Sequence, residues 1–339
     1  MPRGTEEVLQ EKLWSWLADR GYEVAGEVGI GDGAIDLVAK DSTEYLGFEL
    51  KTLYGLESQA GLSFRKVAST LKQIQKYERC SQFDRLYFCC EDPEQVRNRM
   101  MSVDESSTYQ FEVSSSLLNQ LGLVQVSLAP EIDIAIVEQA EKLNRTGTPD
   151  LPRSNEAWVQ HHAWEWALQD NQAATREGLL PEDYYVDISS FVGSTDTTEI
   201  LENQDQYSHV GIEAKGVSGL TPRDDLRDQL QNYLDSGGLT HLYLAVPLRV
   251  HEQINPHAGQ QTLMADNSSD IPQQVGIMTV DETGEVKIRR EPTKVQMTYD
   301  GLRWSDSEYV PVGWGARCKR EKETFNQISY WYYHKHTLN

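Results

Sequence analysis

Two short apolar segments near the start of the chain are each interrupted by charged residues. They cover residues 33–39 and 47–51, and their aliphatic content predicts two neighbouring strands of a hairpin. Residues two apart on a strand share one face, so Glu49 and Lys51 point the same way while their apolar neighbours point the other way. Asp36, which is flanked by two aliphatic residues, is predicted to stand on the same polar face if the strands are adjacent.

Carboxylates and an ammonium group that converge at a sheet edge are suited to metal chemistry. Mg²⁺ takes a few carboxylate oxygens together with waters, and a lysine beside it can orient or help deprotonate an attacking water. Asp36, Glu49 and Lys51 therefore form a candidate metal site. A solvent-exposed hairpin face explains the same three residues, and for one isolated motif it is the better explanation.

The same motif occurs a second time in the chain. Asp187 lies between two aliphatic residues, and a second acid–base pair two residues apart, Glu213 and Lys215, follows it. The helical apolar stripe upstream is repeated at a constant offset, with Leu9, Leu13, Trp16 and Leu17 matched by Val159, Ala163, Trp166 and Ala167, and with Glu6 and Glu156 at the two helix starts.

The segments downstream of each E-x-K motif also match. Gln73 and Tyr77, four residues apart and so on one helical face, correspond to Gln229 and Tyr233. The apolar residues 86–88 correspond in the same way to residues 242–244. A fixed order of helix, acid strand, E-x-K strand, Q-x-x-x-Y helix and apolar strand, present twice, predicts an internal duplication of a whole domain.

This order resembles the PD-(D/E)xK nuclease superfamily, whose RecB-like and exonuclease members carry a similar Q-x-x-x-Y helix. The first half of the chain also resembles the archaeal Holliday-junction resolvases. The resemblance implies a restriction-endonuclease-like fold, in which helices flank a mixed central sheet. One position departs from the pattern, because Ile35 and Val186 replace the proline that usually precedes the first aspartate.

The resemblance also implies an activity and residues that carry it. The activity is Mg²⁺- or Mn²⁺-dependent hydrolysis of DNA, branched or single-stranded DNA included, by two fused domains acting as a pseudo-dimer. Metal ligation is implied for Asp36 and Glu49, catalysis for Lys51, and accessory roles for Glu6 and Gln73. In the second half, the corresponding residues are Asp187, Glu213, Lys215, Glu156 and Gln229.

Two of these acids have an equally good ordinary explanation. Glu6 and Glu156 are candidate additional metal ligands, but both are predicted to lie in the first turn of a helix. Acids at that position interact well with the helix dipole and with unpaired N–H groups.

The predicted fold is α/β, a tandem duplication of a restriction-endonuclease-like domain. Domain 1 covers residues 1–145, a linker covers 146–153, domain 2 covers 154–292, and a C-terminal aromatic extension covers 293–339. The linker is placed by its Thr, Gly and Pro content. Domain 1 is predicted to include a helix with Ile132, Ile136, Ala140 and Leu143 on one face, and domain 2 to end in a hairpin over 276–288.

The composition is strongly acidic, with 53 Asp and Glu against 31 Lys and Arg and a formal net charge of −22. A nucleic-acid enzyme normally has a basic surface, so this balance taken alone argues against DNA binding. At 1 M salt, however, the Debye length is about 3 Å, and acidic surfaces are typical of halophilic cytosolic proteins. We therefore expect a protein adapted to high salt.

Basic residues are nevertheless concentrated on one predicted helix, the one that bears Gln73. Against a single acid, Glu78, this helix carries Arg65, Lys66, Lys72, Lys76 and Arg79, which we name the basic cluster. The matching helix of the second half has two cations, Arg223 and Arg227, offset by Asp224, Asp225, Asp228 and Asp235.

The remaining signals concern location, thiols and histidines. No apolar segment is long enough to span a bilayer and the N-terminus lacks a signal-peptide pattern, so a cytoplasmic protein without a membrane partner is expected. Cys89 and Cys90 lie on a predicted core strand, which favours buried thiols over disulfides. His161 and His162 are adjacent and lack a usual metal-ligand spacing, so surface histidines are expected.

Two classes of function remain open. The tail beyond residue 293 combines basic residues with aromatic ones such as Trp304, Trp314 and Trp331, a combination that holds single-stranded nucleic acid but that a packing extension also explains. One class is the DNA endonuclease. The other is a nucleic-acid-binding or scaffold protein that keeps the fold while one or both sites are inactive. The completeness of both motifs favours the enzyme.

Overall fold

The chain divides into two compact units, residues 1–152 and residues 153–339. The computed structural model describes residues 5–31, 33–58, 61–104, 115–127, 134–167, 173–180, 184–192, 208–217, 220, 223–253 and 271–296. The predicted linker begins within the first unit, because the backbone N–H groups of Thr146 and Gly147 donate to Ser81 O at 2.9 and 3.0 Å.

In the described part of the first unit, a helix precedes the first strand of the sheet in the sequence. In chain order the described helices and strands are α1 (Thr5–Ala18), β1 (Glu23–Ile30), β2 (Gly33–Lys40), β3 (Tyr45–Leu50), α2 (Leu53–Leu56), β4 (Glu57–Ser58), β5 (Gly61–Leu62), α3 (Phe64–Arg79), β6 (Arg85–Cys90), α4 (Pro93–Asp104), α5 (Ser115–Gln120), β7 (Gly122–Val126) and β8 (Ile134–Glu138).

Six of these strands form one mixed sheet in the order β1-β2-β3-β6-β7-β8. Strands β1 to β3 are antiparallel, β3, β6 and β7 are parallel, and β8 is antiparallel to β7. Helix α1 packs on the sheet through Leu9, Leu13 and Leu17, which are four residues apart and buried. A separate core cluster joins α3, α4 and α5 to Leu86 and Phe88 of β6.

The second unit repeats this arrangement. Its described elements are α6 (Glu156–Ala167), β9 (Ala173–Leu179), β10 (Tyr185–Val192), β11 (Ser208–Ala214), α7 (Arg223–Asp235), β12 (His241–Pro247), α8 (Leu248–Gln253), β13 (Gly276–Val280) and β14 (Val286–Arg290). Its sheet has the order β9-β10-β11-β12-β13-β14, with the same sequence of antiparallel and parallel pairs as in the first unit. Both units therefore have a mixed α/β fold with one topology.

A packing detail also recurs at the same place in the two sheets. Gly122 pairs with Tyr87, and Gly276 pairs with Tyr243. A Cβ atom on Gly122 would lie 2.4 Å from a ring carbon of Tyr87, and one on Gly276 would lie 2.6 Å from a ring carbon of Tyr243. Only glycine fits under these rings, so each sheet fixes a tyrosine–glycine pair at the same register.

The structure corrects one predicted helix and confirms two predicted strand elements. Residues around Ile136 form strand β8 rather than a helix, and Ile136 pairs with Val124 of β7. Ile136 is 46 % exposed, so it is not part of a buried helical face. Strand β7 and the β13–β14 hairpin are confirmed.

The predicted C-terminal extension is described only at its start. Thr293 and Val295 donate backbone hydrogen bonds to Gln274 O and Thr240 O, both at 2.9 Å, so this part lies along the second unit. The aromatic and basic residues predicted to bind nucleic acid lie at 297–339, outside the described residues. Among the helices that the structure describes, none is long and apolar enough to cross a membrane.

Candidate functional site

The first candidate site lies where the pairing between β2 and β3 ends. The last pair of the ladder is Leu37 with Phe48, so Asp36 and Glu49 come next in register and face each other. Asp36 Oδ2 accepts a hydrogen bond of 2.6 Å from the backbone N–H of Leu50. A side-chain carboxylate thus satisfies a strand N–H group at this point, which holds Asp36 beside Glu49.

Lys51 lies at the centre of three carboxylates. Its Nζ is 3.0 Å from Glu49 Oε1, 3.1 Å from Glu6 Oε1 and 3.5 Å from Asp36 Oδ2. Its backbone N–H donates to Cys89 O at 3.0 Å, which continues the pairing of β3 with β6 and fixes where the side chain starts. Three carboxylates around a single ammonium offer several oxygen ligands at one place, an arrangement that suits a divalent cation.

Glu49 is buried, which the alternation argument did not predict. It is 1 % exposed, and neither of its carboxylate oxygens accepts a well-aligned hydrogen bond from a described residue. Gly47, two residues earlier on the same strand face, lies against Leu86 and Phe83 of the cluster that includes α3. The predicted polar face is therefore covered by helix α3 instead of solvent.

Burial and mutual repulsion shift the pKa values of these groups. Burial, reinforced by Asp36 and opposed by Lys51, raises the pKa of Glu49 to about 8. Burial also raises the pKa of Glu6, again against the effect of Lys51. For Lys51, burial alone would lower the pKa, but the carboxylates of Asp36, Glu49 and Glu6 outweigh it and raise the pKa above its ordinary value.

Gln73 is held at this site by Tyr77. The Tyr77 hydroxyl donates to Ala34 O at 2.5 Å, and because a carbonyl can only accept, the hydroxyl oxygen is left to accept the Gln73 Nε2–H at 2.7 Å. Tyr77 is 1 % exposed, and burial together with the nearby Glu49 carboxylate raises the pKa of its hydroxyl. The Gln–Tyr pair is visible in the sequence, whereas the bond to β2 that positions it is not.

The second unit builds the same site from its own residues. The β10–β11 pairing stops at Ile188 with Ile212, which places Asp187 opposite Glu213. Asp187 Oδ2 accepts the backbone N–H of Ala214 at 2.7 Å. This is the counterpart of the Asp36–Leu50 bond in the first unit.

The lysine and the glutamine complete the second site. Lys215 Nζ is 2.5 Å from Glu213 Oε1 and 3.7 Å from Glu156 Oε1. Gln229 Nε2 donates both to Glu213 Oε1 at 2.8 Å and to the Tyr233 hydroxyl at 2.6 Å. The Gln229–Glu213 bond has no counterpart between Gln73 and Glu49 among the hydrogen bonds of the described residues.

The pKa shifts at the second site have the same physical causes as those at the first. Glu213 is 1 % exposed, and burial together with Asp187 raises its pKa well above the ordinary value, although Lys215 opposes the shift. Burial alone would lower the pKa of Lys215, but the carboxylates of Glu213 and Asp187 outweigh this effect and raise the pKa above its ordinary value. Glu213 Oε2 accepts no hydrogen bond from the described part of the chain.

Glu6 and Glu156 belong to these sites geometrically. Each lies in the first turn of its helix, as the helix-dipole explanation expects. Each carboxylate also lies within ion-pair distance of the local lysine, at 3.1 Å from Lys51 and 3.7 Å from Lys215. Every residue predicted for the two sites is thus placed at its own site, and the buried glutamates offer carboxylate oxygens that a divalent cation could use.

The basic cluster lies on helix α3, next to the first site. All five of its members are exposed, whereas Val67, Leu71, Ile74 and Tyr77 of the same helix face the core. On α7, Arg227 is exposed between the equally exposed Asp225 and Asp228. The Arg223 and Asp224 side chains and the predicted helix start at 221–222 lie outside the described residues. Positive charge on the described residues of these two helices is therefore concentrated on α3.

The prediction for the histidines was wrong, and the prediction for the thiols is confirmed. His161 is 3 % exposed, and the His162 ring packs against Trp158 at a centroid distance of 4.2 Å. Cys89 and Cys90 are buried free thiols. Glu165 is four residues after His161 and three after His162 on the same helix and therefore faces both, a relation that the spacing of the two histidines alone does not show.

No family model matches this chain, and a search of curated proteins finds no match to it. The chemistry of the two sites must therefore be inferred from their residues and geometry.

Proposed function

We propose that this chain is a Mg²⁺-dependent DNA endonuclease of the PD-(D/E)xK type, in which two restriction-endonuclease-like units act as a pseudo-dimer. The observation that carries the proposal is the repetition of one buried constellation. An aspartate that accepts a strand N–H, a glutamate with 1 % exposure and an adjacent lysine occupy the same register position in two sheets of one topology.

The residues of both sites fit a divalent cation. Buried carboxylate oxygens normally have hydrogen-bond partners, yet Oε2 of Glu49 and Oε2 of Glu213 accept none from the described residues, and Oε1 of Glu49 has the Lys51 ion pair. Oxygens of this kind are the ligands that Mg²⁺ and Mn²⁺ prefer. Asp36 and Glu49, with Glu6, would hold the ion in the first unit, and Asp187 and Glu213, with Glu156, in the second.

A metal ion at such a site would supply Lewis-acid activation of the scissile phosphate and of water. The protein residues supply orientation and charge. Because the pKa of Lys51 is raised, this side chain is an ammonium at neutral pH and is suited to orient water or to stabilise negative charge on the phosphate, not to accept a proton. Gln73, held by Tyr77, can orient the same groups with its amide.

The basic cluster is the best candidate for contacts to the DNA backbone. Phosphate contacts supply sequence-independent affinity, and these five cations lie on the helix that also bears Gln73. The net charge of −22 would repel DNA at low salt. At multimolar salt this repulsion is screened, so we expect activity and binding to be measurable there.

Cleavage assays with a defined set of DNA substrates test the proposal. Purified protein is incubated in multimolar KCl, with Mg²⁺ or with EDTA, on linear, circular, single-stranded and branched DNA. We expect Mg²⁺-dependent cleavage that the double variant Lys51→Ala, Lys215→Ala loses. Lys40→Ala is the control, because Lys40 pairs with Glu23 away from the site.

Two results would count against the enzyme. Cleavage that survives in the double variant would remove the proposed mechanism. DNA binding by the folded wild-type protein without any Mg²⁺-dependent cleavage would favour the alternative, a nucleic-acid-binding or scaffold protein with inactive sites.

A further inference from the structure

Helix α6 carries three side chains that offer metal-ligand atoms, and they are distinct from the residues of the carboxylate–lysine sites. Glu165 follows His161 by four residues and His162 by three, so one helical turn brings its carboxylate beside both imidazoles. One ligand atom from each of the three side chains lies within 4.8 Å of the other two. His161 Nε2 is 3.8 Å from Glu165 Oε2.

Packing restricts the two imidazoles to their positions. His161 is 3 % exposed. The His162 ring lies against Trp158, whose Nε1–H donates to Asp281 O at 3.0 Å. Gly284 lies against the same imidazole so closely that a Cβ atom there would collide with the ring, and its φ of +87° also favours glycine. Ligands held by such packing lose little freedom when they bind an ion.

We propose that His161, His162 and Glu165 bind one Zn²⁺ ion or a chemically similar transition-metal ion. Two imidazole nitrogens and one carboxylate oxygen form a common donor set for zinc with three protein ligands, which leaves a fourth position open. Imidazole nitrogen suits zinc, copper and nickel, whereas Mg²⁺ prefers oxygen ligands only. This site is therefore expected to select a different class of ion from the carboxylate sites.

The distances are compatible with a single ion. Zinc bonds to nitrogen and oxygen measure roughly 2.0–2.2 Å, so two ligand atoms at the tetrahedral angle on one ion are about 3.4 Å apart. The 3.8 Å between His161 Nε2 and Glu165 Oε2 exceeds this separation by about 0.4 Å. The Glu165 side chain is 40 % exposed, so a change of its rotamer can shorten the distances from its carboxylate to the two imidazoles.

The proposed zinc site is separate from the catalytic proposal. His161 lies five residues after Glu156, which corresponds to about 7.5 Å along the helix axis. A simple i,i+4 interaction between His161 and Glu165 explains part of the same geometry, but it predicts no saturable binding of zinc. Zinc binding can therefore be measured whether or not the chain cuts DNA.

Calorimetric titration with ZnCl₂ tests the site. The full chain is titrated in KCl, with excess MgCl₂ present to occupy oxygen-only sites. Three proteins are compared: the wild type, Glu165→Gln and His162→Gln. The matched controls are Glu94→Gln, an exposed acid on α4, and His241→Gln, a histidine outside the cluster. We expect one equivalent of zinc in the wild type and in both controls, with affinity reduced about tenfold or more in the two cluster variants.

A thermal melt gives an independent readout. Because zinc at the proposed site binds the folded chain more tightly than the unfolded chain, it should raise the melting temperature of the wild type and of the controls but not of the cluster variants. No saturable zinc uptake by the wild type would overturn the proposal, and so would unchanged affinity in Glu165→Gln. Glu165 is partly exposed, so its glutamine variant is expected to fold and decides the question even if His162→Gln does not fold.

Discussion

The replacement Glu49→Gln measures the cost of burying a carboxylate at the first site. Glutamine has the shape of the protonated carboxyl group but cannot ionise. The difference in unfolding free energy between wild type and variant, followed over pH, therefore isolates the ionisation of Glu49. In the metal-free protein, burial and the Asp36 carboxylate raise the pKa of Glu49 from 4.5 to about 8.

The sign follows from the direction of this shift. A raised pKa means that the folded protein holds the proton more tightly than the unfolded chain, so the stabilisation is complete below pH 4.5 and is lost as the pH rises to about 8. One pKa unit corresponds to about 1.4 kcal/mol. From about pH 5 to pH 8, the wild type should thus lose on the order of 3–4 kcal/mol of stability that Glu49→Gln keeps.

Urea unfolding in KCl with EDTA, at several pH values, is the assay. We expect the stability of the variant relative to that of the wild type to increase steadily as the pH rises. Adding Mg²⁺ should reverse the order, because metal binding requires the ionised carboxylate and stabilises only the wild type. A difference between wild type and Glu49→Gln that does not vary with pH would refute the assignment of Glu49 as a buried, high-pKa acid.

Further predictions concern the division of work between the units, salt and acid. If each site cuts one strand, Lys51→Ala alone or Lys215→Ala alone should convert double-strand cleavage of a supercoiled plasmid into nicking, and intact double-strand cleavage by Lys215→Ala would show that the second site is inactive or redundant. Charge reversal of Arg65, Lys66, Lys72 and Lys76 should weaken DNA binding in a filter or anisotropy assay far more than reversal of Arg223 and Arg227, and equal effects would contradict the proposed role of α3. Circular dichroism melts should show a folded state that is stable at 3 M KCl and lost at low salt, since unscreened carboxylates repel one another; equal melts would mean that the acidity serves another purpose. Burial lowers the pKa of His209 from 6.5 to about 4, so stability should fall between these values as the pH drops, by on the order of 3 kcal/mol relative to a His209→Gln variant, and parallel pH profiles of the two proteins would be inconsistent with a buried neutral imidazole.

The sequence was sufficient to predict that the candidate residues lie together, because the relevant rules are local. Alternation along a strand puts Glu49 and Lys51 on one face, and a short hairpin brings Asp36 next to them. Repetition of the whole order in the second half then removes most of the ambiguity of a single motif. This geometry depends on the two-residue period of a strand and on the order of the elements, and both can be read from the sequence.

Other features depend on contacts that no local rule contains. Glu49 is buried because α3, which follows it by more than a dozen residues, covers its strand face. The spacing of Ile132, Ile136 and Ala140 imitates a helical stripe, but β-branched residues on β8 pair with β7 at the sheet edge instead. His161 is buried by tertiary packing within the second unit, and the sequence around two adjacent histidines does not reveal such packing.

The two aspartates that hold strand N–H groups give each site its own reporter in hydrogen exchange. The amides of Leu50 and Ala214 are protected by a carboxylate side chain instead of by a neighbouring strand. Both residues are fully buried, so exchange of these amides with deuterium requires that the aspartate release the amide and that solvent reach it. A ligand that draws Asp36 or Asp187 away from the backbone speeds exchange at one amide and leaves the other unchanged, so occupancy of each site can be followed separately in a single, unlabelled molecule.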